Sequence, residues 1–180
     1  MDSTLGRYDK PLAISRLVLR ALIKLNVVVG FVVLAMFIAS LAAKPLMRAL
    51  GVQPDADGAA RILGMRGLTF IGVLALLVLH VVYTRLLAIV ETVKAGEPFV
   101  AENADRVQTI AWALIGLELL HIGAHIVLAT VAAHSLTGMR DHATDYHFSV
   151  TGMLAILLLF VLARVFDQGA RMRDELAATV

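Results

Sequence analysis

The chain of 180 residues contains no cysteine. That excludes a disulfide framework and thiol chemistry. Charge is sparse, with Asp, Glu, Lys and Arg making up 17% of the chain. The formal net charge is only +2, so where the charges fall matters more than their sum. The alternation of about ten residues that marks a membrane β-barrel is missing. So are a nucleophile elbow, a phosphate loop, a His-Glu-x-x-His pair and any tandem repeat. No long polar domain interrupts the apolar segments, so an enzyme built on this chain would have to work inside a bilayer.

What the chain does have is apolar length. Hydrophobic residues make up 59% and the mean hydropathy is +0.84, more than a soluble core requires. Four segments, at about 22–43, 68–90, 107–133 and 148–166, approach the ~20 residues a helix needs to cross a membrane. Backbone groups in lipid must bond within their own segment, which leaves helices. The expected fold is an all-α integral membrane protein. It is a single four-transmembrane-helix bundle over 1–180, with a cytoplasmic helical tail over 167–180.

Lys and Arg orient it. One side would carry 11 of them, from Arg7 to Lys24, then Arg85, Lys94 and Arg106, then Arg164, Arg171 and Arg173. The other side would carry 5, namely Lys44, Arg48, Arg61, Arg66 and Arg140. The excess marks the cytoplasmic side, so both termini and the 91–106 loop are expected there, N-in/C-in.

Residues 1–10 read as polar and loose, and Pro11 suits a first helical turn. Arg16, Arg20 and Lys24 then recur every fourth residue as a basic stripe entering the inner leaflet, a snorkelling anchor for the first span. The stripe is short and lacks interleaved aromatics, so direct nucleic-acid binding is not expected. The apolar run that follows is too long for a signal-peptide core. Residues 44–60, punctuated by Pro45, Gly51, Pro54 and Gly58, read as an outer loop, with Asp57 a cap for the next helix.

The third segment is unusual in carrying Glu118, His121 and His125, spaced i, i+3, i+7 on one helix face. His80, in the second segment, falls at a similar depth, and a buried acid is expected to find an imidazole partner. Three roles suit these four residues. One is a Glu–His bond that fixes packing. The second is a cofactor site, either haem b held by His80 with His121 or His125, or a transition metal. Glu-x-x-His is also a di-iron ligand pair, but only one copy is present. The third is proton or ion handling. The second outer loop holds His134, Asp141, His142, Asp145 and His147, ligand types for zinc or copper in a spacing that fits no named motif. Beyond the fourth segment, Asp167, Arg171 and Glu175 alternate in sign at i, i+4, i+8, as on an exposed helix.

Between the second and third segments stand Lys94-Ala95-Gly96-Glu97-Pro98-Phe99, then Glu102-Asn103, Arg106, Ile110 and Trp112. Near the end come Phe148-Ser149, Leu162-Ala163, Val165-Phe166, Gly169-Ala170, Asp174-Glu175 and Thr179-Val180. Over about residues 60–180 the chain resembles the bacterial membrane family catalogued as domain of unknown function 2975. One departure is Val100, where members often carry Ser or Thr. The His80, Glu118, His121 and His125 set is not part of the family pattern. The resemblance implies a small multi-pass protein of the bacterial inner membrane. It also implies a cytoplasmic helix-turn-helix regulator as a candidate partner, since some members are encoded beside one. A homo-oligomer is a further candidate assembly.

The sequence thus reads as a regulatory or interaction module. It would act through Gly96, Pro98, Phe99, Glu102, Asn103 and Arg106 in the loop and through Arg171 and Glu175 in the tail. The alternative is a cofactor or ion-handling protein built on the His/Glu face.

Overall fold

The computed structural model of the protein describes residues 5–51, 56–134 and 149–178, which are helical with no strand. Four helices follow in order, α1 (Leu5–Ala49), α2 (Ala56–Lys94), α3 (Ala101–His134) and α4 (Val150–Ala178). Each contains a stretch long and apolar enough to cross a membrane: Pro11–Ala43, Gly58–Lys94, Ala101–Ala132 and Val150–Leu176. At ~1.5 Å per residue the 45-residue α1 is far longer than a ~30 Å hydrocarbon layer, so its polar ends outrun the apolar stretch.

The helices are longer than hydropathy alone suggests. Residues 5–10 are helical rather than loose, and Pro11 sits inside α1 instead of in its first turn. The 44–60 stretch is mostly helix, because α1 passes through Pro45 to Ala49 and α2 starts at Ala56. Gly51, at φ +73°, follows the end of α1 in a conformation that costs glycine little. The tail expected over 167–180 continues α4 without a break to Ala178.

The chain divides into two units. The first comprises residues 1–26, 79–115 and 149–180, and so draws on all four helices. Its buried positions are mainly small: Ala104, Ala111, Ala163 and Ala170, with Val82, Val107 and Ile110. Large side chains such as Leu17, Leu154, Leu158 and Val161 lie outside. Small residues inside and large apolar ones outside is the pattern of helices that associate in lipid, where close backbone approach replaces a hydrophobic core. Trp112 meets Phe160 edge-on at 5.5 Å, joining α3 to α4. Arg16 and Arg20 reach Glu91 near the end of α2 at 3.5 and 3.4 Å. Two of the three basic-stripe residues therefore have a carboxylate partner, which sequence spacing did not reveal.

The second unit comprises residues 27–78 and 116–148. Here α2 packs on α3 through glycine: a Cβ at Gly64 would collide with Val131, and one at Gly67 would come within 3.2 Å of Val127. Here too the passage of α1 through Pro45 is explained. Pro45 has no N–H, so the carbonyl of Leu41, four residues back, loses its helical donor. Arg66 of α2 supplies one instead. Its Nη2 donates to the Leu41 carbonyl at 3.2 Å and to the Ser40 carbonyl at 2.8 Å, and its Nε donates to Ser40 at 3.0 Å. Ser40 is buried, with its hydroxyl bonded to the Phe37 carbonyl at 2.6 Å.

Candidate functional site

In the first unit, the turn after α2 is set by Gly96. Its φ of +81° lies in the left-handed region, where glycine escapes the Cβ clash. Gly96 N–H bonds the Val93 carbonyl and Glu97 N–H bonds the Thr92 carbonyl, the paired bonds of a Schellman ending. The chain then passes Pro98 and Phe99 into α3.

Asn103 holds this turn. It is fully buried, and both its amide hydrogens and its carbonyl oxygen are hydrogen-bonded. Its Nδ2 donates to Thr92 Oγ1 at 2.8 Å and to the Pro98 carbonyl at 2.9 Å. Its Oδ1 accepts from Arg106 Nη1 at 2.8 Å. The Thr92 hydroxyl, accepting from Asn103, can give its single proton to the Ile89 carbonyl at 2.8 Å. One amide therefore ties together the end of α2, the turn and the start of α3. Glu102 beside it is exposed, as is Asp105.

The same turn is joined to α4. The Phe99 ring packs against Phe166, centroids 5.9 Å apart, and lies over Gly169, where a Cβ would come within 2.6 Å of the ring. Arg173 Nη1 donates to the Phe99 carbonyl and its Nη2 pairs with Glu97, both at 3.4 Å. The loop motif and the C-terminal motif, some 70 residues apart, thus form one surface. Along α4, Arg171 pairs with Asp167 at 3.1 Å, and residues 171–176 are exposed. Nearby, a polar recess of about 310 Å³ is lined by Asp105, Gln108, Arg164 and Asp167 among others. Thr92, Gly169 and Arg173 belong to this surface but were not among the candidate site residues: Gly169 entered the sequence reading only in the family motif, and Arg173 only in the charge count.

The His/Glu residues fall in both units. His80 belongs to the first, half-buried, with its carbonyl accepting from the Thr84 hydroxyl at 2.9 Å. Glu118, His121 and His125 belong to the second. There the two imidazoles meet, Nε2 to Nε2 at 3.2 Å with ring centroids 4.7 Å apart. Glu118 and His125 are half-buried and His121 is exposed. Among the described residues, no three His, Asp or Glu side chains are placed to hold a metal ion. Asp141, His142, Asp145 and His147, and the side chain of His134, lie outside the described residues.

No curated protein and no solved structure matches the chain. A family model does match, over residues 27–180, reaching well before position 60 where the resemblance in the motifs starts. It is described as Protein of unknown function (DUF2975), and the chain belongs to that family.

Proposed function

We propose that this is a multi-pass protein of the bacterial inner membrane that works as an interaction module. Its working face would be the 94–106 turn together with the C-terminal end of α4, on the cytoplasmic side. The observation that carries this reading is the Asn103 network with its Phe99–Phe166 and Arg173 links, which spend a fully buried amide on fixing the shape of an exposed surface. Buried polar networks of this kind give shape specificity more readily than net stability. The surface they hold presents the exposed charges Glu102, Asp105, Arg171, Asp174 and Glu175 together with the exposed apolar Met172 and Leu176. Exposed charged and apolar groups on one face suit a protein partner. The helix-turn-helix regulator implied by the family resemblance is the candidate partner.

Site-specific photocrosslinking in intact cells tests this. A photoreactive residue at 171 or 175 should give a protein adduct, one at 154 should give lipid only, and Asn103→Ala should weaken the adduct at 171. The same protein adducts at all three positions, or none at any, would overturn the reading.

A second reading rests on the His121–His125 contact. Two bonds of ~2.1 Å meeting at a metal near the tetrahedral angle would set their nitrogens ~3.4 Å apart, close to the separation seen. The two rings touch, so they cannot be the opposed axial ligands of one haem. Elemental analysis of the purified protein should then find a stoichiometric transition metal that His121→Ala removes. A metal-free, colourless protein would end this reading.

A further inference from the structure

Arg66 stands at the edge of the apolar 68–90 segment, half-buried and fixed by its three bonds to the Ser40 and Leu41 carbonyls. Those acceptors are neutral. Among the described residues no carboxylate pairs with it. A positive charge held at the edge of hydrocarbon without a counter-ion is costly, and one from elsewhere would lower that cost. Arg66 also lines a groove of about 610 Å³ within the second unit. The volume falls in the ~300–1,000 Å³ range of small-molecule sites. Apart from Thr130 its other walls are apolar, among them Phe37, Leu63, Phe70 and Val127, with the Phe37 and Phe70 rings 5.8 Å apart. Gly64 and Gly67 form part of the lining, and larger residues there would run into α3.

An occupant matching this groove is apolar along most of its length and anionic at one end. A free anion would gain nothing from the aromatic walls, and a lipid without net charge would leave Arg66 uncompensated. We infer that the groove holds one anionic phospholipid, with its phosphate against Arg66 and an acyl chain along Phe37, Leu63 and Phe70.

The test uses full-length protein in nanodiscs and phosphatidylglycerol with a photoreactive acyl chain, compared with the same probe on phosphatidylcholine. Adducts should map to Phe37, Leu63 and Phe70 and be severalfold more abundant with phosphatidylglycerol. Arg66→Lys should keep that preference, and Arg66→Gln should reduce phosphatidylglycerol labelling to the phosphatidylcholine level. Arg66 also supports α1, so Leu63→Trp provides a second arm: filling the groove from an exposed position, it should reduce labelling by both lipids. Equal labelling by the two lipids would mean a merely annular contact and overturn the proposal. So would adducts elsewhere, unchanged labelling in Leu63→Trp, or displacement of the probe by inorganic phosphate.

Discussion

Glu102 and Asn103 are chain neighbours in one motif, yet one side chain is exposed and the other has no exposure at all. Removing the buried amide leaves the Pro98 carbonyl, the Thr92 hydroxyl and the Arg106 guanidinium each short of a partner. A buried group left unsatisfied costs about 1–3 kcal/mol. Asn103→Ala should therefore lower the unfolding free energy in detergent by about that amount, whereas Glu102→Ala should stay within about 0.5 kcal/mol, as surface substitutions do. Denaturant titration of the two variants checks this, and equal effects would contradict the network. From the sequence, both residues read as interaction candidates. Their separation was not legible, because Asn103 is buried by Thr92 and Pro98 folding over it, which depends on the left-handed turn at Gly96.

Individual helices were readable because apolar length is a one-dimensional signal, and each of the four helices carries one long apolar stretch. Their ends were not, because they depend on partners in other elements. Pro45 should stop a helix, and α1 continues because Arg66 of α2 replaces the missing donor. This makes the two residues energetically coupled. In a Pro45→Ala background Leu41 regains a backbone donor, so Arg66→Met should cost roughly 1 kcal/mol less than in the parent, read from a double-mutant cycle. An additive cycle would refute the compensation. The seat of Phe99 on α4 gives a second test. Gly169→Val should push the Phe99 ring off α4 and expose the 95–100 turn to protease. Phe99→Ala, which vacates the space, should make Gly169→Val nearly silent relative to Phe99→Ala alone. If cleavage does not change in Gly169→Val, the Phe99 contact does not hold the turn.

At the scale of the whole molecule, the open matter is which side each end faces, and the charges argue it. Arg16 and Arg20 lie against Glu91, Arg173 against Glu97, and Arg171 against Asp167. Pairing neutralises these arginines locally, which would weaken any orientation set by net charge. Orientation during insertion is instead governed by counting Lys and Arg near the spans, with Asp and Glu contributing little. The 11-to-5 excess therefore keeps its force despite the ion pairs. Under the proposed four crossings, both termini would lie on that richer side. A green fluorescent protein fused after Val180 should fluoresce, as should one placed at Gly96, since it matures in the cytoplasm. Alkaline phosphatase inserted near Asp141 should be active, because it needs the oxidising exterior. Activity at Gly96 with none near Asp141 would reverse the topology, and would place the surface built on Asn103 outside the cell, where a cytoplasmic regulator could not reach it.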